Sequence, residues 1–162
     1  MFAQPDLVVP ARSAIVERLR SALPAILQSR PVLAAYLYGS VADGHALPDS
    51  DVDIALVLLP EHHLSAYERQ VLELDVAAEI EEACGIREAD VRIINDAPLM
   101  AQGIVLTEGI RVFSRDDDLC AEFEVAERKR YFDFLPVVQM MRRAYFQRKG
   151  AALRRQGLLR DG

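Results

Sequence analysis

The stretch YGSVADGHALPDSDVDIALVL, residues 38–58, sets Gly39 and Ser40 at the end of one apolar run and Asp51 and Asp53 at the head of the next. Side chains alternate between the faces of a strand, so Asp51 and Asp53 share one face with Cα atoms roughly 6.5–7 Å apart. Val52 and Ile54 then point the other way, into a core. Two carboxylates side by side repel each other unless a cation reconciles them, and hard cations such as Mg²⁺ prefer oxygen ligands. A pair of such ions about 3.5–4 Å apart clamps the attacking and leaving oxygens of a phosphoryl or nucleotidyl transfer. A third acid is expected on a neighbouring strand, and Asp90 at the head of DVRII is the candidate. Arg92 falls on the face of Asp90, where it either neutralises that acid or meets a phosphate oxygen. Gly39 lets the backbone turn sharply and approach a ligand closely. Ser40 adds a hydroxyl and an N–H where the phosphates of a nucleotide could sit.

These residues must be positioned by elements legible in the hydrophobic pattern. Residues 11–29 carry apolar side chains at helical spacing, with Pro24 as a break or kink. LAAYLY, 33–38, reads as a buried strand, 39–50 as a loop, and 51–59 as a second strand. A long helix over 64–83 stops at Gly85. ADVRII, 89–94, is a third strand, 98–107 is helical, and IRVF, 110–113, is a fourth short strand. An amphipathic helix follows from 116 to about 134. Pro136 kinks it or opens a further helix that runs to about Lys149. The mixed order implies an α/β (α+β) domain, a small sheet flanked by helices.

The bulk properties narrow the function. A chain of 162 residues with 51% hydrophobic content supports one folded domain with a full core. Its formal net charge is −6, unevenly spread. From Arg142 onward there are seven Lys/Arg and one acid, so the rest carries 12 basic and 24 acidic residues, a net of −12. A body this acidic repels a phosphate backbone, which argues against direct nucleic-acid binding. No apolar run approaches the ~20 residues of a membrane span. The N-terminus has no signal-peptide pattern. Cys84 and Cys120 lack metal-ligand spacing and read as reduced, partly buried thiols, so a cytoplasmic location is expected. His62, His63 and His45 read as solvated loop residues. Met140 and Met141 are expected to pack on the core or on a partner surface. Tyr131 and Asp133 read as packing and surface positions of an amphipathic helix.

Gly-Ser, ten intervening residues and Asp-x-Asp resemble the signature of the DNA polymerase β-like nucleotidyltransferase superfamily. More narrowly, the chain resembles the minimal nucleotidyltransferase (MNT) antitoxins encoded beside HEPT-domain toxins. The resemblance spans roughly residues 13–140. It includes ADVRIINDAPLM, EGIRVFSRDD and ERKRYFDFLP as well as the opening stretch, and the Tyr-x-Asp-Phe of the third segment implies, as the alternative to ordinary packing, that Tyr131 and Asp133 contact nucleotide or the partner toxin. It implies a nucleotidyltransferase domain over 1–149, with 150–162 as a basic tail. It also implies Mg²⁺ (two ions) held by Asp51, Asp53 and Asp90, and ATP bound at Gly39, Ser40, Asp51, Asp53 and Arg92. Finally it implies transfer of AMP to a tyrosine of a cognate HEPT toxin, within an oligomer of the two proteins. One departure from the family pattern stands out. Val41-Ala42-Asp43-Gly44 keeps the Ala and Gly of Gly-Ser-x-Ala-x-Gly but has no basic residue after Ser40. Triphosphate binding must then lean on Ser40, metal and Arg92. The alternatives are a non-catalytic antitoxin that neutralises by covering its toxin, and a small-molecule nucleotidyltransferase. The second usually needs a further domain, for which this length leaves little room.

Overall fold

The computed structural model describes residues 11–46 and 50–157. The elements follow in the order α1 (Arg12–Leu27), β1 (Val32–Tyr38), α2 (Gly39–Asp43), β2 (Val52–Leu58), α3 (Ala66–Cys84), β3 (Ala89–Ile93), α4 (Leu99–Glu108), β4 (Ile110–Ser114) and α5 (Asp117–Arg155). The sheet order is β3-β2-β1-β4. β1 pairs antiparallel with β2 and with β4, while β2 and β3 are parallel. This is the mixed α+β sheet flanked by helices that the sequence pattern implies.

Both faces of the sheet are covered, so the two central strands read as unbroken apolar runs rather than alternating ones. On one face Leu37, Ile54, Leu56 and Leu58 pack against α1 (Leu19, Leu23, Leu27) and α3 (Val76, Ile80). On the other, Tyr36, Ala55 and Val57 meet Val105 and Leu106 of α4 and Cys120 of α5. Cys84 and Cys120 are both free and buried. No helix among the described residues is long and apolar enough to cross a membrane.

Local chemistry sets the ends of the elements. Ser65 and Glu68 form a reciprocal cap at the start of α3, each side chain accepting from the other's backbone N–H (3.2 and 2.7 Å). Gly85 ends that helix at φ 63°. Asp116 caps α5 by accepting from the N–H groups of Asp118 and Leu119. β3 is an edge strand, and α3 guards its outer side. Glu81 accepts from the Ala89 N–H at 2.9 Å and Glu73 from the Ile93 N–H at 2.8 Å, which blunts the edge and fixes where Asp90 sits.

Two features differ from the sequence pattern. α2, a one-turn helix, occupies the first half of the expected loop, and residues 47–49 of that loop lie outside the described residues. The two prolines do not divide their helices. α1 continues through Pro24, and α5 runs unbroken through Pro136 for 39 residues. Both prolines are exposed, so the carbonyl each leaves unserved can turn to water. The helix thus extends to Arg155, beyond Lys149; residues 158–162 lie outside the described residues.

α5 is anchored by a polar cluster and one close contact. The buried Tyr36 hydroxyl donates to Glu124 at 2.7 Å, and Arg111 from β4 donates to the same carboxylate oxygen at 3.0 Å. Arg128 donates to the Leu106 carbonyl near the end of α4 (2.8 and 3.1 Å). Tyr131 lies flat on Gly103, where an added Cβ would sit 2.0 Å from its ring. Gly103→Ala should therefore lower stability by about 1–3 kcal/mol, as overpacking does. In urea unfolding, Tyr131→Ala in the same chain should recover part of that loss; additive effects of the two changes would show that the contact does not couple α4 to α5.

Candidate active site

The register of three adjacent strands gathers the candidate residues. Tyr38 pairs with Asp53 across β1 and β2, and Asp53 pairs with Asp90 across β2 and β3. Directly paired residues share a face. Tyr38, Asp53 and Asp90 therefore form a row across the sheet, at the end of β1 and the starts of β2 and β3. Val52, Ile54, Ala89 and Val91 point to the opposite face, into the α1–α3 core.

Gly39 closes the row from above. Its φ is +74°, a left-handed conformation that L side chains seldom adopt. A Cβ there would lie 2.3 Å from Asp53 Oδ2 and 3.2 Å from its Cγ. The glycine is required twice, by the turn and by the approach of main chain to carboxylate. Ser40 follows, half-buried in the first turn of α2, and its carbonyl accepts from the His45 N–H at 2.9 Å. Arg12 donates to the Ala42 carbonyl at 2.9 Å and ties α2 to α1.

Asp53 carries the electrostatic cost of the row. Its carboxyl is held above the ordinary aspartate value, first by desolvation, then by the charges of Asp90 and Asp51. The phenol of Tyr38 is raised as well, by desolvation and by Asp53 and Asp90, against a lowering pull from Arg92. Tyr38 thus stays protonated, a hydroxyl donor facing two acids.

Asp51 stands one residue ahead of β2 and is exposed. Asp90 is held by Arg92, whose Nε donates at 2.9 Å; both side chains remain substantially exposed. Arg92 is therefore an ion-pair partner of the third acid. Among the described residues, no three His, Cys, Asp or Glu side chains are drawn together as a ready metal cage. The donor set nevertheless fits a hard divalent cation. It is all carboxylate oxygen, and the like charges that raise Asp53 are those a cation would relieve. Asp51, Asp53 and Asp90 are the residues that could hold one.

The sequence reading missed Tyr38, which lay in plain view as the first letter of the opening stretch. Its place opposite Asp53 depends on strand pairing, which no local pattern reveals. His45 and His63 are exposed loop residues, and His62 accepts from the Leu64 N–H within its own turn. Met140 and Met141 are exposed and contribute nothing to the core.

The family model described as polymerase beta, nucleotidyltransferase matches residues 22–118, more than half of the chain and all of the row. The chain belongs to this nucleotidyltransferase family. No curated protein matches it closely enough in sequence to count as a relative. Solved structures share the fold. A chain of a toxin–antitoxin complex with AMP-PNP is 20% identical at a TM-score of 0.53, covering 85% of this chain and 97% of its own. A chain of the tri-AMPylated Shewanella oneidensis HEPN toxin in complex with MNT antitoxin is 17% identical at 0.55, covering 82% and 96%. A chain of the MntA–HepT toxin–antitoxin is 17% identical at 0.54, covering 81% and 96%.

Two outcomes test the row. A carboxyl raised in the fold binds its proton more tightly there than in the unfolded chain. Stability therefore falls as pH rises from the ordinary aspartate value through the raised one, and the penalty is complete above it. In metal-free buffer, Asp53→Asn should melt higher than the parent at pH 7, with the gap closing as pH approaches the ordinary aspartate range. A gap that ignores pH would mean the penalty is not electrostatic. Gly39→Ala should cost at least about 1–2 kcal/mol in chemical unfolding, from the left-handed backbone alone.

Proposed function

We propose that this chain is an MNT-type antitoxin that transfers AMP from ATP to a tyrosine of a cognate HEPT-family toxin and so neutralises it. The observation that carries the reading is the Gly39 main chain lying against the Asp53 carboxylate, with Asp90 beside it. A phosphate cradle and metal-competent acids would meet there. The fold-level likeness to toxin–antitoxin complexes, one with AMP-PNP and one with an AMPylated toxin, supports the same direction.

In this reading Gly39 and Ser40 bind and orient the triphosphate, and Arg92 meets a phosphate oxygen. Mg²⁺ bound by Asp51, Asp53 and Asp90 would supply charge neutralisation at the transferring phosphate. The toxin tyrosine oxygen forms the new bond to the α-phosphorus, the bond from that phosphorus to the bridging oxygen breaks, and pyrophosphate leaves. The phenolic proton passes to a carboxylate of the row, for which Asp90 is the assignment. A tyrosine hydroxyl, with a pKa near 10, gives up its proton more readily than serine or threonine. A protein acceptor brings its own surface, and orientation supplies much of the rate.

A second reading, neutralisation by covering alone, draws on the absence of a basic residue after Ser40. Intact mass spectrometry separates the two. Incubation with MgATP and the toxin encoded beside this chain should add AMP units of about 329 Da to the toxin. Asp51→Asn or Asp53→Asn should abolish the addition, and Asp90→Ala should slow it roughly 10²–10⁴-fold. Full neutralisation without a mass change, unaffected by those variants, would favour covering alone.

A further inference from the structure

Two helices leave apolar stripes uncovered, with opposite charge around them. Beyond its contact with α4, α5 presents Phe134, Val137, Met141 and Tyr145 at i, i+3, i+7 and i+11, and Met141 and Tyr145 are 62% and 58% exposed. From residue 134 to Arg155 this helix carries six Lys/Arg and no acid. On α3, Tyr67, Val71, Leu74 and Ala78 follow the spacing i, i+4, i+7 and i+11, and Tyr67 and Leu74 are 74% and 72% exposed. That helix carries six acids against one base, Arg69. Exposed Asp75 and Glu82 border its stripe, as Arg142 and Lys149 border the stripe of α5.

We propose that these two stripes bind each other between two copies of this chain, α5 of one copy lying on α3 of the other. Within one copy they cannot meet: α3 packs on one face of the sheet with α1, and α5 on the other with α4. The spans match. Tyr67 to Glu82 and Phe134 to Lys149 each cover fifteen residue steps, about 22 Å of helix. Both show the three-and-four spacing that seats ridges of one helix in the grooves of another. Pairing α5 with α5 would set basic flanks against basic flanks, whereas α5 on α3 sets Arg142 and Lys149 toward Asp75 and Glu82. Contiguous exposed apolar surface of this kind marks an interaction site. None of these residues lies in the Tyr38–Asp53–Asp90 row, so the inference stands apart from the transfer reading.

The purified full chain, without toxin, is examined by light scattering and sedimentation across salt. The expected result is a dimer or larger assembly at micromolar concentration that weakens as salt rises. Leu74→Glu and Met141→Glu should each weaken it at least about tenfold; both sites are exposed, and circular dichroism checks that helix content is kept. Reversing the flanks on one side, Arg142→Glu with Lys149→Glu, should weaken assembly. Adding Asp75→Lys with Glu82→Lys in the same chain should restore it. A monomer up to about 100 μM overturns the inference, as does an assembly indifferent to both glutamate variants. A chain monomeric alone that binds the toxin through Met141 also overturns it, and assigns this face to a different protein.

Discussion

The close approach of the Gly39 main chain to the Asp53 carboxylate is the constraint around which the sheet is organised. It needs β1 to end where β2 begins, with Tyr38 opposite Asp53, and it needs a residue with no side chain at a positive φ. Any slip of the β1–β2 register by one residue would turn Asp53 to the other face, into an aliphatic core. The buried aliphatic side chains of both strands, packed on two sides, hold that register.

The same arrangement concentrates negative charge. Asp53 lies beside Asp90 and near Asp51, partly withdrawn from water, and its raised affinity for a proton measures how unfavourable that is. Among the described residues Arg92 pairs with Asp90 from an exposed position. β3 is held by glutamates of α3 on its outer edge and by β2 on its inner one. The third acid is therefore fixed by helix-to-strand hydrogen bonds made on the far side of the strand. A site strained in this way suits a ligand that brings positive charge.

α5 joins the two ends of the molecule's chemistry. Its first half is part of the domain, through the Tyr36–Glu124–Arg111 cluster and the seat of Tyr131 on Gly103. Its second half carries large, exposed apolar side chains. The charge changes sign along the same helix, acidic at its start and basic at its end, so one helix can hold to an acidic body at one end and present a basic surface at the other.

Much of this was readable from the chain alone. Gly39, Ser40, Asp51 and Asp53 stand out as candidates because residue type and spacing act locally. The four strands and the long α3 follow from continuous apolar runs and helical spacing for the same reason. What the tertiary structure decided is everything that depends on pairing and packing. Strand order set Asp90 beside Asp53 and Tyr38 opposite it. Arg92 turned to Asp90 because the row leaves that acid exposed. Pro24 and Pro136 stayed inside their helices because each faces solvent, where a lost hydrogen bond costs little, and Gly103 exists to receive Tyr131. These outcomes lie between residues far apart in the chain, and only the folded register brings them into contact.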